Sequence, residues 1–72
     1  MSQELINNKL NQINEIYRSG INYYKQENKL LAKERFATAA RLLIEISNHQ
    51  ECFERSHSLS RAKQLFMLAK SL

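Results

Sequence analysis

A small all-α bundle of three helices is what this sequence predicts, and three features carry the prediction. The 72 residues contain no proline and a single glycine, and strong helix formers run throughout. Apolar residues recur at steps of three and four in three successive segments, which is the helical period. Two short polar runs, Gln26-Glu27-Asn28 and Ser47-Asn48-His49, separate the segments. A chain this short encloses only one modest core, so residues 1–72 are read as a single domain. Isolated helices of this length are marginal in water, and their stripes must pack together.

The first helix is expected from Gln3 to about Gln26. Ile6, Leu10, Ile13, Tyr17, Ile21 and Tyr24 form its stripe, and Ser2 is placed to cap its N-terminus. Gly20 costs about 1 kcal/mol relative to alanine inside a helix. The stripe continues through it, so the expectation there is a close helix crossing rather than a terminus. Asn28 either ends the first helix in a left-handed conformation or caps the second. The shortness of this turn makes the first two helices antiparallel.

The second helix is expected over residues 29–47. Its apolar face carries alanines where leucines are usual: Ala32, Phe36, Ala39, Ala40, Leu43 and Ile46 make one stripe broad enough to touch two neighbours. Small residues let helices approach closely, so this segment is read as the middle of the unit. The third helix is expected over residues 50–71, capped by Ser47 or Asn48, with Glu51 near its positive end. Leu59, Ala62, Leu65, Phe66 and Ala69 are its expected buried face. Phe53 falls on the opposite side, so either it packs at the end of the bundle or the helix begins later. The chain stops at Leu72 with no glycine, asparagine or proline stop signal, which reads as the N-terminal piece of a longer protein.

Composition narrows the function. The lone Cys52 excludes an intramolecular disulfide and leaves a zinc site without its usual thiolates, so a reducing, cytoplasmic setting is expected. His49 and His57 are too far apart on a helix to complete such a site, and Cys52 is expected to be a small buried residue. No glycine-rich phosphate loop, paired-carboxylate motif or nucleophile elbow occurs. The reading is of a non-enzymatic domain with no cofactor and no metal. No segment approaches the roughly 20 apolar residues that span a bilayer.

The formal net charge of +4 is unevenly placed. Up to Asn28, Lys9, Arg18 and Lys25 balance Glu4, Glu15 and Glu27; from Lys29 onward eight basic residues face four acidic ones, and none is acidic after Glu54. Beside these cations lies more apolar surface than a three-helix core requires. Leu65, Leu68 and Leu72 line one edge of the third helix's stripe, with Met67 nearly opposite the core. Ile44 and Ala37 flank the second helix on one edge, Leu31 and Leu42 on the other. Leu5, Ile16 and Tyr23 form a side row on the first helix beside Lys9. Surplus apolar surface next to basic groups suits an acidic amphipathic peptide, with Arg41, Arg61, Lys63 and Lys70 pairing its carboxylates. Ordinary boundary packing is the competing account.

The alanine-rich middle segment resembles that of MIT domains, the microtubule-interacting and trafficking modules. Ala32, Phe36 and Ala39 stand at the intervals of that family's second helix, followed by Ala40 and Leu43. Leu65, Ala69 and Leu72 match the spacing late in the third helix, with Leu65 in place of an aromatic and Lys70 in place of an acidic residue. The resemblance implies an up-down-up three-helix bundle that docks short motifs of ESCRT-type filament proteins. It also implies attachment to a larger protein such as an AAA ATPase. By helix position it places a groove for a helical motif along Ala37, Ala40, Ile44, Leu65, Leu68 and Leu72, with Arg41, Lys63 and Lys70 as charge partners. A second groove, between the first and third helices, would take an extended motif.

Two other classes compete with this reading. A homo-oligomerisation bundle would use the same leucines. A nucleic-acid binder would need a dense basic strip, whereas here the cations are interleaved with glutamates. A small inhibitor protein complete in itself is a further alternative.

Overall fold

The computed structural model describes residues 2–72, and it resolves them into three helices: α1 (Gln3–Lys25), α2 (Lys29–Ser47) and α3 (Cys52–Ser71). No strand occurs among the described residues, and no helix is long and apolar enough to cross a membrane.

Each boundary has a local cause. Ser2 Oγ accepts the Leu5 N–H at 3.2 Å, which satisfies one of the orphan donors of the first turn. At the other end of α1, Glu27 adopts φ 63°, the left-handed conformation. The Glu27 N–H donates to the Tyr24 carbonyl and the Asn28 N–H to the Tyr23 carbonyl, the hydrogen-bond pair of a Schellman stop. Asn28 then starts α2, its side-chain oxygen accepting the Leu31 N–H at 3.3 Å. Of the two roles open to Asn28, the structure gives it the cap, and the left-handed turn falls to Glu27.

The second connection differs from expectation. Neither Ser47 nor Asn48 caps α3. Ser47 is the last residue of α2, buried, with its hydroxyl donating to the Ile44 carbonyl. The N-cap of α3 is Glu51, which makes no side-chain cap bond, and the helix begins at Cys52, two residues later than expected. Arg55 closes the turn instead. Its Nε donates to the Ser47 carbonyl at 3.0 Å and its Nη2 to the Gln50 carbonyl at 3.2 Å. A guanidinium at the carbonyl end of α2 answers the negative pole of that helix. The later start leaves Cys52 exposed rather than buried.

Packing centres on α2. Ala32, Ala39, Ala40 and Leu43 have no solvent exposure, and Phe36 and Ile46 have 2% and 1%. Against this stripe α1 presents Ile6, Ile13 and Gly20, each seven residues from the next. At the Gly20 crossing, a Cβ would sit 2.8 Å from Phe36 Cε1 and 3.2 Å from Arg35 Cβ. The glycine therefore marks a close crossing of α1 and α2, as the unbroken stripe implied. The Phe36 ring also meets Tyr17 at a centroid distance of 5.7 Å, tilted by 47°. Such a pair adds about 0.5–1.5 kcal/mol beyond area burial.

From the other side α3 contributes Ser58, Ala62, Leu65 and Ala69. This corrects the expected face: Leu59 and Phe66 are 42% and 36% exposed. Ala62, Leu65 and Ala69 are buried as expected, and Ser58 takes the place of Leu59 and Phe66, which turns the buried face by roughly 35° about the helix axis. Ser58 tolerates burial because its hydroxyl donates to Gln50 Oε1 at 2.6 Å.

Although α2 packs closely on both neighbours, no Cα of α1 lies within 8 Å of a Cα of α3. The radius of gyration, 12.4 Å, exceeds the value of about 11 Å expected for a chain of this length.

Two substitutions test this packing by urea unfolding followed by circular dichroism. Gly20→Ala gains about 1 kcal/mol of helix propensity but meets the Phe36 ring, and a net loss of about 1–2 kcal/mol is expected. In a Phe36→Leu background the same change should cost nothing; an equal cost in both backgrounds would place the strain elsewhere. Glu27→Gly should raise stability by about 0.5–1 kcal/mol by relieving the left-handed backbone.

Candidate functional site

The large apolar side chains of α3 point outward and its small ones inward. Buried Ser58, Ala62 and Ala69, with Leu65, seat α3 closely on α2. Phe53, Leu59, Phe66, Met67 and Leu68 are left at the surface, with exposures from 36% to 82%. Helix α3 therefore has apolar surface on both flanks of its core face, and each flank borders a depression.

The first depression lies between α2 and α3. It is an open cleft of about 470 Å³. Ala62 lies at its base, while Ile44 from α2 and Leu59, Phe66 and Met67 from α3 line its sides. Ile44 is 39% and Met67 62% exposed. The close approach of the two helices makes the floor shallow, and the long side chains at the edges make the walls. Lys63 and Lys70 sit on the α3 rim, seven residues apart and so about 10 Å apart along the helix. An apolar trough rimmed by cations accepts an apolar surface that carries carboxylates.

The expected groove residues divide between locations. Ile44, Lys63 and Lys70 come together in this cleft. Ala40 and Leu65 are buried in the core, with 0% and 7% exposure, so they support the cleft from beneath without lining it. Ala37 is half-buried and Arg41 exposed, and neither lines the cleft. Leu68 and Leu72 lie on the opposite flank of α3, against α1. Leu59, Ala62, Phe66 and Met67 line the cleft without having been expected there. Leu59 and Phe66 had been counted as core because they too fall at helical spacing. The signal for the true face was the run of small residues at positions 58, 62 and 69, which matches the alanines of α2.

The second depression runs between α1 and α3. Leu10, Asn14, Phe53 and His57 surround one end; Tyr17, Arg61, Gln64 and Leu68 surround the middle; Ile21, Tyr24, Phe36 and Leu72 surround the other end. Arg61 borders the first two sections and Leu68 the last two, so the three adjoin in a row along α1 and α3. Across it Arg61 Nη2 donates to Asn14 Oδ1 at 3.3 Å. The side row proposed for α1 does not line this groove: Ile16 and Tyr23 pack partly against the core, and Leu5 is 45% exposed.

Among the described residues no three His, Cys, Asp or Glu side chains group together as metal ligands. No protein-family profile, curated protein or solved structure matches this chain. The reading of function therefore rests on its residues and their geometry.

Proposed function

We infer that this chain is a non-enzymatic docking domain of the MIT type, an up-down-up three-helix module that binds a short helical motif in the α2–α3 cleft. The motif is acidic and carries leucines. Docking would recruit whatever protein the domain is attached to, an AAA ATPase in the cytoplasm being the kind the resemblance implies. One observation carries the reading: the cleft exposes Ile44, Leu59, Phe66 and Met67 side by side and rims them with Lys63 and Lys70. Scattered apolar residues on a surface need no partner, whereas a concave group of four beside two cations suits one.

The up-down-up arrangement is supported by which residues meet across the first pair of helices. Gly20, near the end of α1, faces Phe36 in the first half of α2, while Ile13, further back, borders Leu42 and Ile46. Earlier residues of α1 thus lie beside later residues of α2.

A helix in this cleft would set three or four apolar side chains between the α2 and α3 ridges and pair carboxylates with the two lysines. Partly solvated ion pairs contribute little each, about 0–1 kcal/mol, so the apolar contacts must supply most of the affinity. A dissociation constant in the micromolar range, about −8 kcal/mol, is the expected scale.

The test is fluorescence anisotropy with a labelled amphipathic peptide bearing leucines at i, i+4 and i+7 and glutamates along both edges. Phe66→Asp, at a position already exposed, should weaken binding by at least about 2 kcal/mol, on the scale of an aromatic hot spot, without changing helix content. Leu68→Gln, on the other flank of α3, should leave affinity within about 0.5 kcal/mol of the parent. Equal sensitivity to both would remove the α2–α3 cleft from the assignment. Raising the salt from 50 to 300 mM should weaken binding only modestly, because screening touches the lysine pairs and not the apolar floor.

A further inference from the structure

The flank of α3 that faces away from the lysine-rimmed cleft carries features the docking reading does not use. Phe53 is the most exposed large apolar residue of the described chain, at 82%, and it stands at the mouth of the α1–α3 groove beside Leu10, Asn14 and Arg61. That end of the groove encloses about 300 Å³. Glu54 and Arg61 border the same depression, seven residues apart on α3. Arg61 spends one donor on Asn14 at 3.3 Å, and a guanidinium has five, so most of its fork is open to a carboxylate.

These features are self-complementary. When two copies of a helix pack antiparallel about a two-fold axis, residue i of one meets residue j of the other and j meets i. An axis passing between His57 and Ser58 sets Glu54 of each copy against Arg61 of the other. It also brings each Phe53 level with position 62 of its neighbour, beside the Arg61–Asn14 hydrogen bond at the inner end of that section of the groove.

Charge decides between a second copy here and a second copy at the cleft. Each chain carries a net +4, and no acidic side chain follows Glu54 in α3. Two copies meeting through Lys63 and Lys70 would set like charges against each other. The flank bearing both Glu54 and Arg61 is the one on α3 where both signs are present.

Surface area sets the scale. The chain exposes 5184 Å², against about 4,650 Å² expected for a monomer of its mass. The excess of roughly 500 Å² accords with the open α1–α3 groove, and a small, reversible contact covers about 1,000 Å² in total.

We propose that two copies of this chain associate through the flank of α3 that borders α1, with Glu54 of each paired to Arg61 of the other and Phe53 of each packed beside the other's Arg61–Asn14 hydrogen bond. The dimer forms with a dissociation constant on the order of 10–100 µM and leaves both α2–α3 clefts open to solvent.

Sedimentation equilibrium over about 20–500 µM reads the association directly. The parent chain should pass from monomer to dimer across this range. Glu54→Arg leaves two cations and no carboxylate at the contact, and Arg61→Glu leaves two carboxylates and no cation, so each variant alone should be at least about tenfold weaker. An equimolar mixture of the two variants restores both cross-pairs and should dimerise as the parent does. Phe53→Ser, at a position outside the core, should show the same weakening with unchanged circular dichroism. A parent chain that stays monomeric at the highest concentration would overturn the proposal. So would association unaffected by either charge reversal, or a mixture that fails to recover. Because the peptide assay uses the opposite flank, Glu54→Arg should leave peptide affinity unchanged, so the two readings can fail separately.

Discussion

The close seating of α2 against both neighbours is the constraint on which the remaining structure depends. Ala32, Ala39 and Ala40 are fully buried, and a methyl group is all that each interposes between backbones. Ser58, Ala62 and Ala69 on α3 reply in kind, and Gly20 on α1 removes even the methyl where the Phe36 ring crosses. Small residues bury little apolar area each, so the stability of the unit leans on the few large side chains at the centre. Ile13, Leu43 and Ile46 are the largest fully buried apolar ones, each contributing about 2–3 kcal/mol. For a domain whose total stability is about 4–11 kcal/mol, that leaves little margin.

The same seating produces the surface. A helix pressed closely onto α2 by small residues has its large residues displaced to its flanks, and α3 has both flanks open. One becomes the wall of the cleft with Ile44. The other borders a groove, because no Cα of α1 comes within 8 Å of a Cα of α3. The apolar composition that a closed bundle would bury thus appears on the outside at Leu59, Phe66, Met67 and Phe53. Leaving such groups in water is unfavourable by about 25 cal/mol per Å². A covering partner returns that free energy, which is why the two concave regions are more informative about function than any single polar residue.

The connections show how unevenly sequence signals translate into structure. At the first turn, one short polar run fulfils two local rules at once: Glu27 supplies the left-handed stop and Asn28 the cap of α2. Both rules act over five residues, so the turn and the cap at Asn28 can be read without knowing the fold, whereas the left-handed position, open to Asn28 by sequence, falls on Glu27. At the second turn the obvious local candidates, Ser47 and Asn48, are bypassed. Arg55 reaches back from α3 to the last carbonyl of α2, and Ser58 bonds Gln50 across eight positions. Those contacts exist only after α3 has folded back, so no window of adjacent residues announces them.

By itself the sequence determined the helical class, the number of helices, the extent of α2 from Lys29 to Ser47, the stripe on α2 and the meaning of Gly20. All of these follow from short-range steric and hydrogen-bonding preferences and from the period of apolar residues along one helix. It also determined that the charge excess lies on α2 and α3. Only the tertiary structure decided which face of α3 is buried. Beside Ala62, Leu65 and Ala69, steps of three and four admit Leu59 and Phe66 as readily as Ser58, and the choice depends on whether alanines of α2 accept a bulky or a small facing row. That rotation of roughly 35° moved Leu59 and Phe66 from core to cleft and carried Leu68 and Leu72 to the side of α1. Which residues face each other across a gap is set by how two surfaces fit, and a single helix does not encode the shape of its neighbour.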